Sequence, residues 1–189
     1  MAVEIEAKMK LDDLDAIRRR LESLGASPAG EHLETNTFFD TADTSLRKAD
    51  KGLRLRANKD VKTGETEYIV TFKGPRQPGE LKTRQEIEFS VDDPTAATQA
   101  FIELGFRVSI RFQKRRRSWR FMQCKVELDE LPRLGGFVEI EGPSADAVMA
   151  ARKALDLANE PLVSDSYASL LARQLTFDLS KTDDMIGFQ

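Results

Sequence analysis

Glu4-Ile5-Glu6-Ala7-Lys8 near the start of the chain and Phe137-Val138-Glu139-Ile140-Glu141 far downstream share one pattern, in which charged and apolar residues alternate. Side chains on a strand point to opposite faces in turn, so Glu4, Glu6 and Lys8 fall on one face and Ile5 and Ala7 on the other. An ordinary surface strand does the same. The pattern gains weight because it returns between these two stretches. Arg54 and Arg56 alternate with Leu53 and Leu55, and Ile69, Thr71 and Lys73 alternate with Tyr68, Val70 and Phe72. Arg84, Glu86 and Glu88 oppose Ile87 and Phe89, while Ile110, Phe112, Lys114 and Arg116 share one parity. Lys125, Glu127 and Asp129 oppose Cys124, Val126 and Leu128.

Between these strands lie helical patterns. Asp12 is placed to cap a helix carrying Leu14, Ile17, Leu21 and Leu24, with Gly25 at its left-handed end. Asp93-Pro94 opens a second, Ser144 caps a third through Val148 and Leu155, and Ser164 or Asp165 begins a fourth containing Tyr167, Leu170 and Leu171. Ser27 to Gly30 reads as a break, Glu34 to Asp40 as a strand, and Asp40 to Asp50 as a loop. About eight strands and four helices joined by short turns predict an α+β fold built on an antiparallel sheet or barrel.

Composition narrows the class. The chain has 189 residues, 40% of them hydrophobic and 32% charged, with a formal net charge of −3, which argues against a generally basic nucleic-acid binder. The single cysteine, Cys124, excludes an internal disulfide and is expected in the core, as is Trp119. No Cys/His cluster suits zinc, and His32 reads as a solvated loop residue. No run approaches a membrane span or a secretory signal, so the expected location is cytoplasmic. One domain over residues 1–175 is expected, followed by a tail over 176–189 that frays after Leu179.

A solvated sheet face normally mixes charged residues with Ser, Thr, Asn and Gln. Here it is almost purely ionic. If the sheet closes with its apolar face outward under the helices, these charges line a lumen, where they must be paired or filled. A polyanion accompanied by a divalent metal satisfies both signs: Arg and Lys hold phosphates, and carboxylate pairs take Mg²⁺ or Mn²⁺. No G-x-x-x-x-G-K-[ST] or G-x-G-x-x-G phosphate loop is present, so side chains have to do the binding.

The E-x-E-x-K of Glu4, Glu6 and Lys8 is followed in order by Phe39-Asp40-Thr41, Leu53-Arg54-Leu55-Arg56, Thr71 to Pro75, Arg84 to Glu88, Lys114 to Arg116, Leu128-Asp129 and Gly136 to Glu141. This series resembles the CYTH superfamily, the triphosphate tunnel metalloenzymes. Thr71 to Pro75, Leu104 to Phe106, Ser166-Tyr167 and Leu170-Leu171 are most similar to its class IV adenylyl cyclases. The resemblance implies a closed eight-stranded antiparallel barrel, often homodimeric, that requires Mg²⁺ or Mn²⁺. It assigns triphosphate binding to Lys8, Arg54, Arg56, Lys73, Arg84, Lys114 and Arg116. Metal goes to Glu4, Glu6, Asp129, Glu139 and Glu141, and the catalytic group is Glu4, Glu6 and Lys8. Glu86 and Glu88 match too, with pairing to nearby cations as their other role.

Two reactions share such a site. In one, the ribose 3′-oxygen of ATP attacks the α-phosphorus and pyrophosphate leaves. In the other, water attacks the terminal phosphorus of tripolyphosphate, thiamine triphosphate or a nucleoside triphosphate. A non-catalytic nucleotide or polyphosphate sensor is the third reading, and the two acid pairs speak against it. No residue in the sequence announces a base pocket.

Overall fold

The computed structural model describes residues 2–174 and 185–188. The alternating stretches become β1 (Ala2–Leu11), β2 (Ser27–Thr41), β3 (Gly52–Asp60), β4 (Thr66–Gln77), β5 (Lys82–Ser90), β6 (Phe106–Phe121), β7 (Cys124–Leu131) and β8 (Gly135–Glu141). They form a closed barrel in the order β1-β5-β4-β3-β2-β6-β7-β8, and every neighbouring pair is antiparallel. Closure removes the unpaired edges that an open sheet would expose. The open-sheet alternative is thereby excluded.

Among the described residues five helices decorate the barrel: α1 (Leu14–Ser23), α2 (Ser45–Lys48), α3 (Pro94–Glu103), α4 (Ala145–Ala154) and α5 (Tyr167–Gln174). Several starts follow the capping signals, with Asp93 accepting from the Thr95 and Ala96 N–H groups and Ser144 from that of Ala147. Two starts are shifted. Asp13, not Asp12, caps α1, and the Ser166 hydroxyl accepts from the Ser169 N–H at the head of α5. The expected loop after Asp40 contains α2 because the Asp40 carboxylate accepts from the backbone N–H groups of Thr41, Leu46 and Arg47. β2 also begins earlier than its periodicity suggests. Ser27 to Gly30 pairs with Arg120 to Ser118 through a register irregularity, a place where proline is tolerated.

The apolar parity faces outward, under the helices. Leu14, Ile17 and Leu21 of α1 and Val148, Ala151 and Leu155 of α4 pack on Ala7, Met9, Val126, Leu128, Val138 and Ile140. Phe101 of α3 and Leu46 of α2 cover Phe39, Leu53, Leu55 and Val70. Trp119 and Cys124 are buried in the first of these clusters, as expected. A third cluster joins inward-facing Phe112, Leu131 and Phe137 to Tyr167 and Leu171 of α5 and to Ile186. His32 lies on β2 rather than in a loop, 3.8 Å from an Asp60 carboxylate oxygen. The expected fraying after Leu179 falls largely on residues outside those described. Ile186, beyond them, is buried and bridges to Phe112. Among the described residues no helix is long and apolar enough to cross a membrane.

The close seating of α1 on β8 rests on Gly136, where a Cβ would lie 2.6 Å from the Leu11 carbonyl oxygen and 2.9 Å from Leu14 Cγ. Gly136→Ala is expected to destabilise the fold by about 1–3 kcal/mol, the usual range for overpacking. Thermal or denaturant unfolding measures this, and an unchanged midpoint would show that the helix shifts freely.

Candidate functional site

The ionic parity faces inward and surrounds a cavity of about 1370 Å³. β1 brings Glu4, Glu6 and Lys8; β3 brings Arg54 and Arg56; β4, β5 and β6 bring Lys73, Arg84, Lys114 and Arg116; β8 brings Glu139 and Glu141. Asp129 on β7, alone among the expected site residues, does not line the cavity and is fully buried behind Lys114 and Arg116. Fifteen Lys and Arg side chains face ten Asp and Glu side chains around this space. A chain with a net charge of −3 thus encloses a cationic interior.

One network centres on Arg116. It binds Asp129 through Nε at 2.7 Å and Nη2 at 2.6 Å, and also contacts Glu127 and Glu139. Lys114 lies 3.1 Å from Asp129 and 3.3 Å from Glu34, and Arg56 lies 3.0 Å from Glu34. Lys8 sits 3.1 Å from Glu139 and 3.5 Å from Glu6. The Tyr167 hydroxyl donates to Asp129 at 2.9 Å, and its ring lies under the Lys8 ammonium at 4.3 Å. A second network pairs Lys73 with Glu86 and, at 3.5 Å, with Glu4. There Arg54 donates to Thr71 at 2.7 Å, and Thr71 donates to Glu88. Glu86 and Glu88 therefore do pair with neighbouring cations.

These environments move the proton equilibria. Burial works to lower the Lys8 ammonium, but Glu139 and Glu6 together outweigh it and hold the group above its ordinary value. Lys8 accordingly stays protonated at neutral pH, an anchor rather than a base. Burial and the neighbouring Arg116 lower Lys114, while burial and Arg56 bring Arg54 down to about 10. Burial opposes the charge on Glu34, yet Arg56, Lys114 and Arg116 hold its carboxyl far below the usual range. The Tyr167 hydroxyl is pushed up by burial and by Asp129, so it remains neutral and donating.

The acids divide into two groups. Asp129 receives four donors, from Arg116 twice, Lys114 and Tyr167, which uses the lone pairs a metal would need. Glu139 is taken up by Lys8 and Arg116. Glu141, by contrast, makes no ion pair among the described residues, and burial together with Glu4 and Glu127 raises it to about 7. Among the described residues no three acidic or His/Cys side chains are gathered into a metal-holding group. Glu141, without an ion-pair partner among the described residues and beside Glu4, nonetheless fits a hard divalent cation of the kind held by one or two carboxylates plus substrate phosphates.

Several inward-facing residues were not singled out from the sequence. Lys82 pairs with Glu6 at 2.5 Å, and Glu127 lies against Arg116 and Lys125. Both share a strand parity with residues that were. Glu34, Asn36 and Phe38 come from β2, where Thr and Phe residues hide the alternation. Tyr167 arrives from a helix, for which strand periodicity carries no signal.

The CYTH domain model matches residues 2–168. A Methanocaldococcus jannaschii protein, MJ0240, named provisionally as an adenylate cyclase, is 28% identical over 177 residues, covering 89% of this chain and 98% of its own. The PH1012 protein of Pyrococcus horikoshii superposes with a TM-score of 0.75 at 27% identity, covering 88% of this chain and 98% of its own. HpAC1 of Hippeastrum, described as having a dominant triphosphatase activity, matches with a TM-score of 0.68. It covers 93% of this chain and 98% of its own, but at 20% identity it shares only the fold.

Glu141 supplies a stability test. Its folded value of about 7 lies above the ordinary 4.5, so between these values the unfolded chain loses a proton that the folded chain retains. Stability from this group is therefore lost as pH rises through that window. Glu141→Gln removes the penalty and is expected to raise the melting temperature of metal-free protein by about 2–4 °C at pH 8 and hardly at all at pH 4.5. Equal shifts at both pH values would refute the raised carboxyl.

Proposed function

The chain belongs to the CYTH domain family, and on that premise we propose that it is a metal-dependent enzyme acting on a triphosphate held inside the barrel, converting ATP to cyclic AMP and pyrophosphate. The observation that carries this reading is a set of buried donors with nothing to bind. Asn36 Nδ2, Arg54 Nε and Arg84 Nε are all buried, belong to residues that line the cavity and have no hydrogen-bond partner among the described residues. Unmet donors at this depth are costly, and an oxyanion accepts from all three. The name of the M. jannaschii relative supports the cyclase direction.

In this reading Arg54, Arg56, Lys73, Arg84, Lys114 and Arg116 hold the phosphates, and protonated Lys8 adds charge without abstracting a proton. Of the five acids expected at a metal, Glu4, Glu6 and Glu141 are those with coordinating capacity left, while Asp129 and Glu139 orient Arg116, Lys114 and Lys8. A Mg²⁺ or Mn²⁺ ion bound there would supply charge neutralisation on the phosphates. The ribose 3′-oxygen forms its bond to the α-phosphorus as the bond to the bridging oxygen breaks, and pyrophosphate leaves with that electron pair. The hydroxyl proton passes to solvent. Fixed cations around the phosphates stabilise the charge that moves onto the leaving group. Hydrolysis of the terminal phosphate by water is the second reading, because the same cations serve a triphosphate whichever phosphorus is attacked.

Incubation with ATP and Mg²⁺ or Mn²⁺ followed by product identification decides between them. Cyclic AMP with pyrophosphate is expected, whereas orthophosphate would assign hydrolysis and tight binding without product would assign a sensor. Replacing Glu4 and Glu6 with Gln is expected to lower kcat by about 10²–10³ with the fold retained. Undiminished turnover would remove these acids from the site.

A further inference from the structure

We propose that the ring of Phe38 is a stacking shelf for the base of a nucleoside triphosphate, so that the tunnel selects a nucleotide through contacts separate from its phosphate grip. This rests on the reading of the cavity as a triphosphate site. The ionic lining is interrupted on β2 and β6, where Phe38, Ile110 and Phe112 face inward. Phe112 is only 2% exposed and belongs to the apolar cluster under α5. Phe38 differs. It is half-buried, stacks on Phe112 with ring centroids 5.9 Å apart and planes 11° apart, and lines the cavity. One side of its ring is thus backed by core while the ring borders open space.

Two neighbours shape that space. Gly52 on β3 carries no side chain, and a Cβ there would stand 3.9 Å from Phe38 Cε1 and 3.8 Å from Lys73 Cβ. The wall beside the ring is therefore bare. Arg54 lies directly across from Phe38 in the β2–β3 pairing, which sets a phosphate-binding cation next to the aromatic surface. A phosphate chain gains nothing from a phenyl face, whereas a base stacks on one. The cavity of about 1370 Å³ also exceeds the usual range of ligand pockets, roughly 300–1,000 Å³, which leaves room beyond the phosphates.

The ring could belong to a nucleobase or to the thiazolium of thiamine triphosphate. Charge favours the neutral base. Arg47, Lys51 and Arg107 line this part of the cavity without an ion-pair partner among the described residues. The nearby carboxylates are already engaged, Asp40 with three backbone N–H groups and Asp50 with Arg76. A permanent cation would meet repulsion there without compensation.

The test is calorimetric titration, with Mg²⁺, of imido-bridged non-hydrolysable forms of ATP, tripolyphosphate and thiamine triphosphate. Phe38→Ala is expected to weaken the ATP analogue by roughly tenfold, a typical loss for one stacked base, and to leave the tripolyphosphate analogue within about twofold. Gly52→Val serves as the second variant because its backbone is not left-handed and the added side chain fills the space rather than opening the core. The same selective loss is expected. Equal weakening of both ligands, or of neither, in the two variants would overturn the shelf while leaving the triphosphate site intact. A thiamine analogue that binds the wild type more tightly than the ATP analogue and is weakened by both variants would overturn the assignment to a base. Wild-type protein that binds no triphosphate would overturn the reading of the tunnel itself.

Discussion

A guanidinium cannot be left alone in a protein interior, and the Arg116 side chain is held among Asp129, Glu127 and Glu139 on two neighbouring strands. Everything around it follows from that demand for compensation. Asp129 is shared with Lys114 and Tyr167, and Lys114 shares Glu34 with Arg56. Glu139 is shared with Lys8, and Lys8 with Glu6. The network joins six strands to α5, so the positions of the cations are fixed before any ligand arrives. Such preorganisation is what electrostatic catalysis needs, because dipoles and charges already in place do not have to reorganise during the reaction.

The barrel itself could be read from strand parity, since a one-residue slip would turn every charge into the helix-covered layer and every Leu and Val into the lumen. That penalty makes the pattern strict in β1, β3, β6 and β8, and those strands were legible. β2 was legible as a strand over Glu34 to Asp40 but not as a wall of the site, because its inward row Glu34, Asn36, Phe38 and Asp40 is interleaved with Thr35, Thr37 and Phe39. Two adjacent phenylalanines, Phe38 and Phe39, therefore alternate to opposite sides, one into the cavity and one into the outer core. Short-range signals also failed where the deciding partner is distant in the chain. α2 depends on the carboxylate of Asp40 at the end of β2, and Tyr167 acquires its role only from contact with Asp129, 38 residues away.

The candidate site was legible as a set of charges but not as a division of labour. From sequence, Glu4, Glu6, Asp129, Glu139 and Glu141 were all assigned to metal, with only Glu4 and Glu6 set apart as catalytic. Geometry separates them by what each already binds. Asp129 has spent its lone pairs on donors, while Glu141 faces Glu4 and Glu127 and is raised to about 7. No periodicity distinguishes a saturated carboxylate from a strained one, because the difference lies in the partners across the barrel.

This division has a consequence for how ligand and metal enter together. In the proposed reading, phosphate oxygens would reach Lys73, Arg54 or Arg116 by taking donors that now serve Glu86, Glu88, Glu127 and Glu139. Each such exchange would trade one anion for another on the cation and leave a carboxylate less compensated. The gain from phosphate binding alone is therefore small. A divalent cation held by the displaced acids would supply the positive charge they lose. Acids and cations are interleaved around the lumen, with Glu4 paired across from Arg84 and Glu141 across from Lys125. On that reading the lumen is best compensated when triphosphate and metal bind as a pair.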